Sequence, residues 1–331
     1  ATAFAARLPA GAVRADLGCG AGRYTPHLGT PVVALDAATT MLDLLRAAAP
    51  GAWPMQGDLE ALPLRAGSLD AAWANMSYLH VPRRRLPMAL AQLHRAMRPG
   101  ALLDVQVLRG DYEGDRLPSD DVGGRFFAAW QPDALVDVLV GAGFEASDVE
   151  VEGDAVRAAG RRARSLPDMV GPGMRLLVCG LNPSEYAADR GVGYARPGNR
   201  FWPAALAAGL VGKDRDPDHA LAVHGVGMTD LVKRATPSAS ALAADEYRAG
   251  AARVERLVRW LQPGAVCFVG LSGWRAAVDA AARAGVQPSG FGGRPAYVMP
   301  STSGVNASAS LAALTEHLRA AAHLADAVPA D

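Results

Sequence analysis

The chain has 331 residues, half of them hydrophobic, and a formal net charge of zero. That length predicts two domains, and the zero charge argues against a generally basic coat for nucleic acid. The charges are nevertheless uneven, because residues 1–171 carry 17 basic and 20 acidic side chains whereas residues 172–331 carry 16 and 13. The second half of the chain is therefore the better candidate for binding an anionic partner.

The positions of the cysteines and the hydropathy of the chain predict where in the cell the protein is found. Cys19, Cys179 and Cys267 lie far apart, with no CxxC or disulfide spacing, which favours a reducing, cytoplasmic environment. No apolar run approaches the roughly 18 residues of a membrane helix, and no secretory leader or metal-ligand spacing is visible. We therefore expect no membrane partner and no metal. Because the chain starts without Met and almost at a strand, a truncated N-terminus stays open.

Strand-like and helix-like segments alternate along the first half, which predicts an α/β fold. A helix ends at Arg98-Pro99-Gly100, and another from Pro132 leads through Gly143-Phe144 to the alternating run Val149–Glu152. Residues 1–160 form the first predicted domain, and residues 161–173 form a linker. The predicted strands are Val13–Leu17, Val32–Leu35, Leu69–Ala74 and Leu102–Leu108.

The second predicted domain covers residues 174–323 and is followed by a tail at 324–331. Its pattern again alternates between strands and helices, which predicts a second α/β layer structure. The predicted strands are Met174–Gly180, Ala265–Gly270 and Ala296–Met299, and the predicted helices are Arg200–Gly209, Tyr247–Leu261, Ser272–Gly285 and Ser310–His323.

A glycine-rich loop, Asp16-Leu17-Gly18-Cys19-Gly20-Ala21-Gly22, follows the first strand. Glycines there let the backbone approach a ligand closely and leave amides free at a helix start. Asp36 ends the next strand, where a carboxylate can bind both hydroxyls of a ribose. Asp58 follows a third short strand, where it can meet an adenine amino group. The order and spacing of these groups predict a cofactor that contains a nucleoside.

This run resembles the class I S-adenosylmethionine-dependent methyltransferases, from the glycine loop through Gly143-Phe144. The resemblance implies a Rossmann-like methyltransferase fold with S-adenosylmethionine as cofactor. It assigns cofactor binding to Asp16, Gly18, Gly20, Gly22, Asp36 and Asp58. Two alternatives stay open: a doubly wound sheet whose loop has lost its ligand, and a nicotinamide site, which the GxGxG spacing disfavours.

The sequence does not specify the methyl acceptor, so a small molecule, RNA or protein stays open. Asn75-Met76-Ser77-Tyr78 occupies the place where the resembled family often has residues near the transferred methyl group. It lacks the NPPY-type tetrad of amino-methylating nucleic-acid enzymes. Tyr78 and His80 are interpreted as packing groups, and Arg83-Arg84-Arg85 as a solvated helix start.

The second domain opens with an apolar strand that runs into Gly180-Leu181-Asn182-Pro183-Ser184. The amide of Asn182 can hold and orient a water molecule but is a poor base. It therefore suits hydrolysis in which the leaving group is already good or the base pair already weak. Taken alone, an Asn before Pro more often caps a turn.

Two later segments favour a base-binding site. Tyr194 offers a flat face on which a flipped base can stack, worth roughly 1–3 kcal/mol, although it can also be a rim residue of the core. Asn199 is predicted to tie the pocket loops together, whereas Phe201 and Trp202 are predicted core. The loop 300–305 can grip phosphates and fill the hole left by an extruded base, or simply cap the helix near Ser308.

Residues 174–320 resemble the mismatch-specific uracil/thymine DNA glycosylases, a branch of the uracil-DNA glycosylase superfamily. The resemblance rests on GLNP at 180–183, GYARPGNRFW at 193–202, GMTDLV at 227–232 and MPSTSG at 299–304. It implies a three-layer fold with a central, mostly parallel sheet. It also implies a monofunctional, cofactor-free hydrolase that releases uracil, thymine or damaged pyrimidines opposite guanine in double-stranded DNA.

The same resemblance assigns roles to individual residues. Asn182 positions the water, Tyr194 stacks on the base, residues 301–306 penetrate the DNA and Val305 takes the wedge position. Further substrate contacts fall to Gly180, Leu181, Pro183, Ser184, Asn199, Ser301, Ser303 and Gly304. We expect the protein to act as a monomer on U:G or T:G mismatches.

Three departures from the family pattern modify this prediction. Ser184 stands where many members have Gly, Tyr194 replaces a common Phe, and Val305 is shorter than the Leu or Arg wedges seen elsewhere. A shorter wedge predicts weaker retention on the abasic product. No carboxylate directly follows the first motif, which predicts slow turnover, and Asp230 is interpreted as a turn or helix cap. The alternative is a methyltransferase whose second domain binds mismatches or abasic sites without cleaving.

Overall fold

The computed structural model describes residues 1–117 and 123–328. It divides into two compact units, residues 1–163 and residues 164–331. None of the helices in the described ranges is both long enough and apolar enough to cross a membrane.

The first unit contains a seven-stranded sheet and five α-helices in its described residues. The strands are β1 (Arg14–Leu17), β2 (Val32–Asp36), β3 (Trp53–Gln56), β4 (Leu69–Asn75), β5 (Met97–Leu108), β6 (Glu113–Gly114), β7 (Phe127–Ala128), β8 (Phe144–Glu152) and β9 (Ala155–Arg162). The helices are α1 (Thr2–Ala5), α2 (Thr25–Leu28), α3 (Thr39–Ala48), α4 (Leu86–Ala96) and α5 (Pro132–Gly141), with short 3-10 turns at Tyr78–His80 and Arg83–Arg85. Strands β6 and β7 form a separate antiparallel pair.

The large sheet has the strand order β3-β2-β1-β4-β5-β9-β8, and β9 runs antiparallel to both its neighbours. The chain order reverses between β1 and β4, since β2 and β3 lie on one side of β1 and the later strands on the other. Open α/β sheets bind ligands in the crevice at such a reversal, beyond the carboxyl ends of the strands. The glycine loop follows β1 directly and therefore lies at that point.

The second unit contains a five-stranded sheet in the order β11-β10-β12-β14-β13. All neighbouring strands pair in parallel except β13, which is an antiparallel edge strand. The strands are β10 (Leu176–Gly180), β11 (Val226–Asp230), β12 (Ala265–Val269), β13 (Gly285–Phe291) and β14 (Arg294–Met299). The helices are α6 (Glu185–Arg190), α7 (Phe201–Ala207), α8 (Pro217–His224), α9 (Ala244–Leu261), α10 (Leu271–Ala277) and α11 (Leu311–Asp326), with a 3-10 turn at Ala239–Ala241.

The side chains of the central strands point alternately to the two faces of the sheet, and helices pack on both faces, so this unit has three layers. Leu176 and Val178 of β10 belong to one buried cluster with residues of α7, α8 and α11. Leu177 and Cys179 belong to a second cluster with residues of α9 and α10. Since successive side chains of a strand point to opposite faces, helices cover both faces of the sheet. Phe201 and Trp202 are fully buried, as predicted.

The structure differs from the predicted boundaries in three places. Residues 164–173, predicted as part of a linker, pack within the second unit, where Met169 pairs with Met228. Helix α11 continues to Asp326, inside the predicted tail; Ala325 is buried in the core, and Asp326 forms an ion pair with Arg175. Helix α10 ends at Ala277, and Gly285, the predicted end of that helix, instead begins β13.

Candidate active sites

The side-chain amide of Asn182 is held in one orientation at the carboxyl end of β10. Its Nδ2 atom donates to the carbonyl oxygens of Pro183 at 3.1 Å and Arg234 at 3.0 Å, and to Oγ1 of Thr236 at 2.8 Å. Carbonyl oxygens only accept, so these partners require the nitrogen to face them. The Oδ1 atom receives no hydrogen bond from the described residues. It is therefore available as an acceptor for a water molecule.

The loop after β10 is supported by the segment that follows β11. The amides of Leu231, Val232 and Thr236 donate to the carbonyl oxygens of residues 180, 181 and 183, at 2.9–3.1 Å. The pairing of β10 with β11 thus continues beyond the sheet, ending at a bridge between Ser184 and Thr236. Thr236, which the sequence analysis did not identify, both positions this loop and accepts from Asn182.

Two polar side chains converge on Gly180. A Cβ atom at Gly180 would lie 2.3 Å from Oδ1 of Asp230 and 2.9 Å from the hydroxyl of Tyr194. Gly180 is thus required because a side chain would occupy the space between these two groups. The Tyr194 hydroxyl is buried and has no hydrogen-bond partner among the described residues, and its burial raises its pKa well above the usual value.

Asp230 ends β11 and lines the same cavity as Asn182. Its carboxylate receives no hydrogen bond from the described residues, so it is not the turn or helix cap that we predicted. Burial, opposed by the positive charge of Lys233, raises the pKa of Asp230 to about 6. A half-buried carboxylate with no partner and such a pKa is a candidate functional group.

An ion cluster lies behind Asp230 in the core of the second unit. Asp168 contacts Nζ of Lys233 at 2.8 Å and the guanidinium of Arg253 at 2.7 Å, and accepts from the Thr229 hydroxyl at 2.6 Å. Burial opposes ionisation of Asp168, but the two cations outweigh it and lower its pKa. Arg253 also donates to the Asp230 carbonyl at 3.0 Å, so the cluster fixes the end of β11.

Tyr194 stands in an unusual backbone conformation at the rim of the cavity. Its φ of 58° lies in the left-handed region, which costs of the order of 1 kcal/mol for a bulky residue. Its ring stacks on Phe201 with centroids 4.2 Å apart and planes 21° apart. One face of the ring is thus fixed by the core, and the ring edge that carries the hydroxyl points toward Gly180.

A cavity of about 600 Å³ connects these groups. Its volume is within the range of small-molecule sites. Every residue that we assigned to the second site lines it except Gly304 and Asn306. Lining residues that the sequence analysis did not assign include Thr229, Asp230, Thr236 and Ser238.

The loop at 301–306 is organised by its own side chains. The Asn306 amide donates to the Ser301 carbonyl at 2.7 Å, and the Ser303 backbone N–H donates to Oγ of Ser301 at 3.2 Å. Val305 is 90% exposed, which makes it the most exposed of the large hydrophobic residues described. An apolar side chain held this far into solvent fits the predicted wedge position.

Asn199 and Ser184 act more locally than predicted. Oδ1 of Asn199 accepts from the Phe201 backbone N–H at 2.9 Å, which caps the start of its own helix. The connection between pocket loops that we predicted for Asn199 is made by the adjacent Arg200, which contacts the 301–309 segment. Ser184 caps α6, because its hydroxyl accepts from the Ala187 N–H at 3.2 Å.

In the first unit, the three glycines of the loop meet different surroundings. All have positive φ, between +52° and +86°. A Cβ at Gly18 would lie 2.3 Å from Cβ of Ser77, and one at Gly22 would lie 2.6 Å from Leu45, so both are needed for packing. Nothing lies within 4 Å of a Cβ at Gly20. Open space at Gly20 fits a ligand that approaches the loop backbone.

The three predicted acids have distinct environments. Asp36 accepts from the backbone amides of Gly20 at 2.8 Å and Ala38 at 2.9 Å, which leaves further lone pairs for ribose hydroxyls. Asp58 accepts from the Glu60 amide at 2.9 Å. Asp16 is buried and bonded to the Thr25 hydroxyl at 2.6 Å, and burial raises its pKa to about 6. Asp36 is thus bonded to the glycine loop itself, whereas Asp16 is bonded to Thr25 at the start of α2.

The residues interpreted as packing groups are mostly bonded or buried. Tyr78 is fully buried, which agrees with a packing role, and burial raises its pKa. His80 contacts the Phe126 carbonyl through Nδ1 at 2.8 Å. Arg83 is not merely solvated, because its Nε donates to the Ala129 carbonyl at 2.8 Å. The described residues contain no cluster of three or more metal-ligating side chains.

Protein-family models match a part of each unit. The family model of a methyltransferase domain matches residues 15–104, and that of the uracil DNA glycosylase superfamily matches residues 167–325. The chain joins a methyltransferase domain to a uracil DNA glycosylase superfamily domain. The predicted α/β folds are thereby confirmed: a Rossmann-like methyltransferase fold, then a glycosylase-like fold with a mostly parallel sheet.

Several solved methyltransferases are similar to about half of this chain. An S-adenosylmethionine-dependent methyltransferase from Methanosarcina mazei is 17% identical with a TM-score of 0.43, and the match covers 49% of this chain and 97% of that chain. One from Mesorhizobium loti is 22% identical with a TM-score of 0.41, covering 48% and 96%. The 1,6-didemethyltoxoflavin N1-methyltransferase of Burkholderia thailandensis is 22% identical with a TM-score of 0.41, covering 49% and 76%.

Proposed function

We propose that the glycosylase domain hydrolyses the N-glycosidic bond of uracil mispaired with guanine in double-stranded DNA, and that thymine and damaged pyrimidines are further substrates. The observation that supports this proposal best is the orientation of the Asn182 amide. Its nitrogen donates hydrogen bonds to three acceptors, while its oxygen remains available as an acceptor, and Asn182 lines the cavity. Such an oxygen accepts a hydrogen bond from one water molecule and thereby directs a lone pair of the water oxygen toward the sugar.

The proposed reaction has simple requirements. The water oxygen forms a bond to C1′ while the bond from C1′ to the base nitrogen breaks, and the base leaves with the electron pair. Charge develops on the sugar and on the base, so positioning and electrostatics supply most of the rate enhancement. Tyr194 stacks on the flipped base, and Val305 fills the place that the base vacates.

Asp230 is proposed to accept the proton of the attacking water. Its carboxylate lines the cavity, and with a pKa of about 6 it is mostly ionised at neutral pH. This proposal replaces our interpretation of Asp230 as a turn or helix cap. Lys233 is proposed to take no covalent part, because its ammonium group is bonded to Asp168 within the core, which supports a monofunctional enzyme.

The test is base release from a panel of duplexes containing uracil, thymine, hypoxanthine or alkylated bases, each opposite G and A. Alkali converts the abasic product to strand breaks, and we expect breaks from U:G only after alkali. Asn182→Ala should slow release about 100-fold, as misplacement of a reactant does. Equal breakage by wild type and Asn182→Ala would contradict the proposal. Tight U:G binding without base release would instead favour the binding-module alternative.

We also propose that the methyltransferase domain binds S-adenosylmethionine, which would supply an activated methyl group. The observation that favours this is the open space at Gly20 beside Asp36, whose carboxylate is anchored to the loop at 2.8 Å. Asp36 binds the ribose hydroxyls and Asp58 the adenine amino group. Calorimetry with S-adenosylmethionine should give saturable heat with wild type and none with Asp36→Ala. No heat with wild type would mean that the domain is a scaffold.

A further inference from the structure

Arg200 is the centre of the loop that carries Val305, although no motif assigned it a role. Its backbone N–H donates to the Thr302 carbonyl at 2.9 Å. Its guanidinium donates to the carbonyls of Ser303 at 3.1 Å and Asn306 at 2.6 Å, and also to that of Ala309. One side chain therefore holds three loop carbonyls that are separated along the sequence.

These contacts determine where the loop amides point. In a trans peptide the carbonyl of one residue and the N–H of the next face opposite directions. The carbonyls of Ser303 and Asn306 face Arg200, so the N–H groups of Gly304 and Ala307 face away from it. Both residues are exposed, and neither amide donates to another described residue. Two free amides thus flank Val305 on the outer surface of the loop.

The loop also lies close against the turn that carries Arg200. A Cβ at Gly304 would lie 2.8 Å from the Gly198 carbonyl, so the two backbones are in close contact. No carboxylate of the described residues contacts the Arg200 guanidinium, whose partners are carbonyls alone. Its positive charge therefore remains uncompensated beneath the free amides, where it attracts phosphate.

We propose that Arg200 is a positioning residue for DNA binding. It turns the loop carbonyls inward and thereby presents the amides of Gly304 and Ala307 to phosphate oxygens on either side of the extruded nucleotide. The proposal rests on the proposed function, since it takes DNA as the partner. A lysine keeps the charge but has all three of its donors on one nitrogen, whereas the planar guanidinium spreads five donors over three nitrogens and reaches separated acceptors at once.

The test compares Arg200→Lys and Arg200→Gln with wild type by fluorescence anisotropy. The probe is a duplex with a tetrahydrofuran abasic analogue opposite guanine, which requires no catalysis. Both variants should lose about tenfold or more in affinity, while the single-turnover rate of uracil release at saturating U:G duplex changes less than threefold. Arg259→Lys, on α9 away from the loop, serves as the matched control and should bind as wild type does.

Each alternative outcome is distinct. Wild-type affinity in Arg200→Lys would show that charge alone matters and would overturn the proposal, as would equal losses in binding and in the chemical step. If circular dichroism shows that either variant is unfolded, hydrogen exchange of the wild type provides the test instead. If duplex binding does not increase the protection of the amides at 302–308, the proposal is overturned. A wild type that binds this duplex but releases no uracil would contradict the proposed function and leave the role of Arg200 intact.

Discussion

The amide nitrogen of Asn182 lies 2.8 Å from the hydroxyl oxygen of Thr236, which in turn donates to the Ser238 carbonyl at 2.8 Å. Thr236 thus transmits the position of the segment after β11 to the proposed water-binding amide. Thr236→Val keeps the shape and removes this acceptor. We expect uracil release to slow about tenfold, with a loss of roughly 1 kcal/mol in the free energy of unfolding. Single-turnover kinetics and urea unfolding measure the two effects.

Thr315→Val is a matched control, because its hydroxyl donates to a carbonyl one turn earlier in its own helix, in α11. It should change stability by a similar amount and leave the rate unaltered. Equal slowing in both variants would contradict a specific role for Thr236.

Asp230 should give the reaction a dependence on pH. Because its pKa is about 6, the ionised form that accepts the proton increases as the pH rises through 6, and the rate should increase and then level off. Asp230→Asn should lower the rate about 100-fold and abolish this rise. A profile that keeps its rise in the variant would assign the titration to another group.

The same residue should affect stability in the opposite direction. A carboxyl group whose pKa is higher in the folded than in the unfolded protein binds more protons when folded. Stability from this group is therefore lost as the pH rises from about 4 to about 6. At pH 8, the free energy of unfolding of Asp230→Asn should exceed that of the wild type by about 1 kcal/mol. Thermal unfolding at pH 4 and pH 8 measures the difference, which should vanish at the lower pH.

Gly18 and Gly20 form a matched pair in the methyltransferase domain. Gly18→Ala places a Cβ 2.3 Å from Ser77 and should lower the free energy of unfolding by about 2–3 kcal/mol. Gly20→Ala meets no atom within 4 Å and should cost only about 1 kcal/mol through its positive φ. It should nevertheless weaken S-adenosylmethionine binding, because the new methyl group occupies the ligand space. Equal affinity of Gly20→Ala and wild type in calorimetry would contradict the assigned site.

Val305 should control residence on the abasic product. Val305→Leu adds one CH₂ group to the wedge, worth about 0.8 kcal/mol when buried in the stack, and should lengthen product residence about fourfold. Val305→Ala should shorten it. Stopped-flow dissociation from abasic duplex measures both, and the single-turnover rate of base release provides the control. Identical dissociation from all three proteins would exclude Val305 as the wedge.

The sequence predicted β10 and β12 well because buried parallel strands are short apolar runs bounded by glycine, but it did not predict β11, which ends at Asp230. It missed β9, whose Arg- and Gly-containing pattern is typical of a linker, although the strand is stabilised by pairing with β5 and β8. It also missed Asp230, Thr236 and Arg200, because their roles depend on groups distant in sequence. Asp230 ends a strand like many turn residues, and only the pairing of β10 with β11 brings it to Gly180.

The buried contact of Asp168 with Lys233 and Arg253 also bears on how the two halves could have been joined. A gene rearrangement that transferred the second half to another partner would need to carry the segment from Arg164 onward. A junction at Met174 would leave two cations in the core without their anion, at a cost of about 3–5 kcal/mol. The transferable module is therefore delimited by charge pairing in its interior, and the glycine and proline residues before Met174 belong to it.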